Sequence, residues 1–130
     1  MNVNGIKEFE RNRYWVFVLE KVEKDIEKLK EEKHKKKIIQ FLYRLSLRIP
    51  NQPEIWEKVK ECKENIFELK PKPYRLGCYV KDKYILVVHL WRVQKNISSE
   101  KRANIRKACE KAKEVQYEFE KTIKRIQNRP

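Results

Sequence analysis

The chain has 130 residues, 40% of them hydrophobic and 40% charged, and its net charge is +14. That much apolar material buries one ordinary core and excludes a disordered chain. The positive imbalance calls for a polyanion or an acidic protein as partner, since solvated Lys/Glu-rich helices explain charge content but not its sign.

The longest apolar run, Tyr84 to Trp91, is far too short to cross a bilayer. Met1 to Arg13 lacks the apolar segment of a signal peptide. A cytoplasmic protein with no membrane partner is the expectation. Cys62, Cys78 and Cys109 match no zinc spacing, and their odd number speaks against a disulfide framework. Cys78 and Cys109 are expected as small buried hydrophobes. With two histidines and scattered cysteines there is no metal-ligand cluster, so no metal or cofactor is expected. The only glycines, Gly5 and Gly77, exclude Gly-rich phosphate loops.

In chain order, Met1 to Arg13 is polar and expected to fray. Tyr14 to Leu19 (YWVFVL) is aromatic and β-branched and predicts a short strand. Lys21 to Lys37 carries Val22, Ile26 and Leu29 at helical spacing. Ile38, Leu42, Leu45 and Ile49 continue the stripe in a second helix that stops at Pro50. His34 and its neighbouring lysines are read as the turn between the two helices. Pro53 is placed to start a short helix, Glu54 to Cys62. Three strands follow between Asn65 and Lys95. Ser98 or Ser99 then caps a last helix, with Ala108, Ala112, Val115, Phe119, Ile123 and Ile126 on one stripe. The order predicts a single α+β domain over residues 1–130. An antiparallel three- to four-stranded sheet packs against an N-terminal helical hairpin and a long C-terminal helix that includes a helix extension over residues 116–130.

Side chains alternate faces along a strand, so register decides which residues meet. A three-residue loop, Lys81-Asp82-Lys83, pairs Val80 with Tyr84, keeps the apolar sets together and puts Arg75 opposite His89. A two-residue turn at Pro71-Lys72 pairs Leu69 with Tyr74 and puts Glu68 opposite Arg75, although Pro73 cannot donate to the ladder. Hydrophobic matching thus predicts a row of Glu68, Arg75 and His89, flanked by Lys70, Tyr79 and Trp91.

Cleaving RNA without a metal requires a base for the 2′-hydroxyl, a cation for charge growing on the phosphate, and an acid for the leaving 5′-oxygen. Glu68 and His89 supply the proton transfers, each worth roughly 10²–10⁴-fold. Arg75 forks onto two phosphate oxygens. Tyr79 and Trp91 offer rings for unpaired bases, and Lys70, Lys72, Arg92 and Lys95 offer charge for the backbone. Plainer readings stand beside these. Glu68 and Arg75 also fit a cross-strand ion pair worth a few tenths of a kcal/mol, His89 a structural histidine, and Trp91 a packing residue under a helix.

The run Ile66-Phe67-Glu68-Leu69-Lys70, then Tyr74-Arg75-Leu76, then Val88-His89-Leu90-Trp91, resembles the RelE/ParE toxin superfamily, closest to its phage-derived HigB-like branch. That branch shows an aromatic-Glu-Leu-Arg strand, a Tyr-Arg strand and a His-x-Phe strand before a Lys-rich turn. The resemblance implies a RelE-like fold and a toxin that cleaves translated mRNA at the ribosome, neutralised by a cognate antitoxin protein. Arg75 falls on the family's catalytic Arg, and Glu68 and His89 fall on motif positions. Lys70 stands where the family has Arg, and Arg92-Val93-Gln94-Lys95 stands where it has Lys-Lys. Two other classes stay open: a ParE-like inhibitor of DNA gyrase that is not a nuclease, and an RNA-binding relative without activity.

Overall fold

The computed structural model describes residues 2–3, 5–94 and 98–129. Its elements run β1 (Asn2–Val3), β2 (Ile6–Arg11), β3 (Trp15–Leu19), α1 (Glu20–Glu27), α2 (Glu32–Leu47), β4 (Trp56–Lys58), β5 (Ile66–Leu69), β6 (Tyr74–Lys81), β7 (Tyr84–Arg92) and α3 (Ser98–Gln127). The strands form one seven-stranded sheet in the order β1-β2-β3-β7-β6-β5-β4. Neighbours are antiparallel except β3 and β7, which run parallel because the α1–α2 hairpin and β4 to β6 intervene between them.

The mixed α+β class holds, while the sheet exceeds the expected three to four strands and is not wholly antiparallel. Residues 6–11 do not fray. Ile6 is 1% exposed, and the segment pairs with β3 through a bulge between Glu8 and Glu10. Its charged side chains conceal the alternation, as edge-proximal strands commonly do. The helix expected over 54–62 is instead a turn followed by β4. Trp56 stacks on Phe67 at 4.8 Å, and that burial on the sheet edge overrides the helix start offered by Pro53. The break between α1 and α2 lies at residues 28–31, so His34 and its lysines form the first turns of α2. No Gly or Pro marks the true break, and the run of good helix formers across it hides the boundary.

Helices cover both faces of the sheet. On one face, Gly77, Tyr79 and Phe17 meet α3 through Ala108 and Phe119. On the other, α1 and α2 bury Val22, Ile26, Ile38, Leu42 and Leu45, and His34 of α2 packs edge-on to Tyr74. The stripe on α3 buries Ile105, Ala108, Ala112, Phe119, Ile123 and Ile126, each large side chain contributing about 1.5–3 kcal/mol. The stripe runs on into the last turns of the long helix, where Phe119, Ile123 and Ile126 are buried. Cys62, on the β4–β5 connection, is joined to Cys109 of α3 by a disulfide with 5.5 Å between the Cα atoms, contrary to the expected free thiols. Two of three cysteines meet through tertiary packing that their spacing does not signal. Cys78 is free and buried, and burial pushes its thiol far up. No helix among the described residues is long and apolar enough to cross a membrane.

Candidate active-site cleft

Two register shifts set the site. Pro71 and Pro73 have no N–H to give, and the N–H of Lys72 turns back to the carbonyl of Lys70 at 3.0 Å. Ladder pairing therefore starts two residues later than hydrophobic matching predicts. Leu69 lies opposite Leu76, and Glu68 lies opposite Gly77 rather than Arg75. At the other turn the loop has two residues, Asp82 and Lys83, with Asp82 at φ 55°. Asp is among the few residues that adopt that left-handed conformation readily. A bulge between Gly77 and Cys78 absorbs the missing loop residue, so the apolar sets still match. Beyond the bulge Gly77 faces His89 and Arg75 faces Trp91. The expected straight row becomes a staggered one, with Arg75 and His89 as diagonal neighbours around Gly77.

Gly77 also sets the height of α3. A Cβ placed there would come within 2.9 Å of the Cβ of Ala108. The bare backbone admits the helix at close range, and the first turns of α3 then overhang the ends of β5, β6 and β7. Between them lies a cleft of about 280 Å³ lined by Glu68, Lys70, Arg75, Trp91, Arg92 and Lys101, with Asn104 and others.

Arg75 is largely covered. Its Nε lies 3.4 Å from Oε1 of the buried Glu68, and its Nη1 donates to the carbonyl of Tyr74 at 3.0 Å. These contacts aim the guanidinium along the cleft floor. Lys70 lines the cleft, but its ammonium donates to Glu57 at 2.7 Å and to the carbonyl of Pro53 at 2.9 Å, which ties β4 to the site. The Lys70 hydrogen bond holds the Glu57 carboxyl below the usual range. Arg92 is exposed beside the cleft, 5.7 Å from the ring of Tyr74. Lys72 sits on the turn, where its carbonyl accepts from Nζ of Lys37, and it does not line the cleft. Lys95 lies outside the described residues.

Three aromatic positions fare differently from expectation. Tyr79 is not brought to the cleft. It is buried beneath α3 with its ring 5.4 Å from Phe119, and burial raises its phenol pKa. Trp91 borders the cleft although it is only 8% exposed. His89 stands behind Trp91, stacked on it at 5.3 Å, with Nε2 2.9 Å from Oδ1 of Asn104. Nδ2 of Asn104 donates to the carbonyl of Glu100, so Oδ1 is the acceptor and His89 Nε2 carries the proton. Burial lowers the His89 pKa, with the Asn104 hydrogen bond opposing it. A neutral imidazole that does not line the cleft is poorly placed to protonate a leaving group.

The residues that sequence reasoning missed are Lys101 and Asn104. Lys101 reads as one more solvated helical lysine and Asn104 as an ordinary helix residue. Only the crossing of α3 over Gly77 brings both to the sheet, and Gly77 itself was the available signal. Among the described residues no group of three or more His, Cys, Asp or Glu side chains stands close enough together to hold a metal ion.

The model of the ParE toxin of type II toxin–antitoxin system, parDE, matches residues 16–97, more than half of the chain and the segment that carries β3 through β7. A similar relative is an uncharacterized protein of Aquifex aeolicus (strain VF5), 43% identical over 93 residues. That match spans 64% of this chain and 64% of the relative, just under two thirds of its length. No solved structure matches the chain significantly.

Proposed function

The chain belongs to the ParE toxin family of type II toxin–antitoxin systems, and we propose that it is an endoribonuclease of the HigB-like kind, cleaving translated mRNA at the ribosome. The observation that carries this reading is the ion-paired Glu68–Arg75 set on the floor of a cationic cleft. A surface that only binds a protein does not require a buried carboxylate held against an arginine there.

In this mechanism Glu68 accepts the 2′-hydroxyl proton as the 2′-oxygen attacks the phosphorus. Arg75 turns from Glu68 towards the phosphate and stabilises the charge that builds on its oxygens. Arg92 and Lys101 hold neighbouring phosphates, and Trp91 borders the nucleotide. The bond from phosphorus to the 5′-oxygen breaks as that oxygen, surrounded by these cations, takes a proton from solvent water in the open cleft and leaves as a 5′-hydroxyl. His89 acts as a positioning residue, holding the ring of Trp91 and the side chain of Asn104. No metal takes part. Electrostatic docking of the basic surface on ribosomal RNA would weaken steeply with salt.

Inhibition of DNA gyrase without nuclease activity is the second reading, favoured by the ParE description of the matching family. Induced expression of wild type and Arg75→Ala in a bacterial host, with mapping of mRNA ends, separates the two. Growth arrest with new cuts inside translated regions, lost by roughly 10²–10³-fold in the folded variant, is the expected outcome. Arrest with intact mRNA and broken DNA, or cleavage unchanged in Arg75→Ala, would overturn the nuclease assignment.

A further inference from the structure

Among the described residues one covalent tie joins α3 to the sheet, the bridge between Cys62 and Cys109. Cys62 stands midway along the connection 59–65. The base of that connection is fixed by the buried Val59, whose N–H donates to the carbonyl of Ile66 at 2.9 Å. The hairpin of β4 and β5 that carries it forms the outer edge of the sheet. The same hairpin carries Glu57, which takes the ammonium of the cleft residue Lys70 at 2.7 Å. Cys109 stands eight residues beyond Lys101, about 12 Å along the helix. The bridge thus ties one edge of the cleft floor to the helix that walls it.

The two halves of α3 are anchored unequally on either side of the bridge. Past it Ala112, Phe119, Thr122, Ile123 and Ile126 are buried, and Glu120 pairs with Lys81 at 3.1 Å. Before it, from Ser98 to Ala108, only Ile105 and Ala108 are buried. Asn104, 2.9 Å from His89, makes the one side-chain hydrogen bond from that half to the sheet among the described residues. The half that walls the cleft therefore buries a single large side chain. Segments with so few buried apolar contacts open locally at a free energy well below that of global unfolding. The bridge restrains the half of the helix that packing restrains least.

We propose that the Cys62–Cys109 bridge is a redox clamp on the cleft. Oxidised, it holds the first turns of α3 over Glu68 and Arg75; reduced, it releases them, and the cleft loses the wall that carries Lys101 and Asn104. The reductant is a dithiol. Its thiolate attacks one bridge sulfur, the S–S bond breaks, and the other cysteine leaves as a thiol. The second sulfur of the dithiol then displaces the remaining cysteine. Two electrons and two protons pass to Cys62 and Cys109, and the reductant is left as a disulfide. Both cysteines are partly exposed, so a small dithiol reaches them in the folded chain, whereas Cys78 is wholly buried and takes no part. Translated mRNA, the proposed substrate, is found where thiols are kept reduced, and bridges formed there are chiefly transient or sensing ones rather than permanent staples. Cys109 lies beyond the family match, which ends at residue 97, so the clamp is a feature of this chain. Its effect on RNA rests on the proposed function, while the clamp itself does not.

The test uses the full chain purified without reductant. A chromogenic thiol reagent should find no reactive thiol in the folded oxidised chain and two after brief treatment with dithiothreitol, with Cys78 reacting only in denaturant. Hydrogen exchange read by mass spectrometry then compares the oxidised and reduced chains. On reduction the amides of residues 99–107 should exchange roughly 10-fold faster, as for local opening, while those of 119–127 stay within about 2-fold. The double variant Cys62→Ser, Cys109→Ser should show the reduced pattern and ignore dithiothreitol, with circular dichroism melts confirming that it folds. Three thiols in the denatured oxidised chain, a bridge that yields to dithiothreitol only in denaturant, or equal exchange of 99–107 in both states overturns the proposal. Affinity for an uncleavable 2′-O-methyl RNA oligonucleotide should fall by roughly 10-fold on reduction, and equal affinity overturns the effect on the cleft. An Arg75→Ala chain that binds this RNA as wild type does would instead overturn the cleft reading. Thiol counts and exchange decide the clamp in either case, so the two readings fail separately.

Discussion

The two ends of the sheet face beneath α3 are built from the same strands and covered by the same helix, yet one is sealed and the other open. At the sealed end Phe119 sits against Phe17 and Tyr79, with ring centroids 6.1 Å and 5.4 Å apart. At the open end the positions in line with Tyr79 and Leu86 are Arg75 and Trp91, and α3 stands over a cleft rather than a packed layer. Gly77 and the adjoining bulge lie between them. Continuing apolar alternation would have closed the whole face. The switch to Glu68 and Arg75 past the bulge leaves charged groups that need the cleft, and the helix that covers one end becomes the wall of the other.

The comparison predicts unequal responses. Phe119→Ala, at the sealed end, should produce the largest loss of stability, about 3–5 kcal/mol, measured by denaturant unfolding. Cleavage per folded molecule should be retained at a temperature where the variant stays folded. A loss under 1 kcal/mol would show that α3 is not anchored there. Gly77→Ala tests the pivot. The added methyl meets Ala108 at 2.9 Å, and overpacking of this kind costs about 1–3 kcal/mol. Because α3 must lift, this variant should also lose activity out of proportion to its stability. A variant equal to wild type in both measurements would remove Gly77 from the account of the cleft.

The same contrast explains what was legible in the sequence. The strong apolar strands β3, β6 and β7 and the α3 stripe were read correctly, because burial there follows one period without interruption. Glu68, Arg75, Trp91 and Arg92 were selected, and all line the cleft. The straight Glu68–Arg75–His89 row was not, since it assumed uninterrupted ladders. Two prolines and one bulge displaced it, and a compensating bulge cannot be inferred from matched apolar faces alone. Tyr79 was assigned to RNA because alternation puts it on the face of Arg75. Alternation tells the face and not which end of it a helix seals. β2 escaped notice because its charged side chains hide the alternation and the edge strand β4 because three residues carry little periodic signal, and Lys101 and Asn104 because their place depends on how close α3 approaches Gly77.

The smallest expected effect concerns the hinge between the two ends, where His89 lies opposite Gly77 and under α3. Burial holds the imidazole pKa down, with the Asn104 hydrogen bond acting in the opposite sense. The unfolded chain therefore takes up this proton more readily than the folded one, so acidification through the usual imidazole range favours unfolding. Above that range the ring is uncharged in both states and adds no pH dependence. His89→Gln retains an amide donor for Asn104 but cannot titrate. Its thermal midpoint should fall less steeply than that of wild type between neutral and mildly acidic pH, with the two curves parallel at alkaline pH. Parallel curves on the acid side as well would mean that His89 is solvated like a surface histidine. The wall of the cleft would then not be held through Asn104 and Trp91.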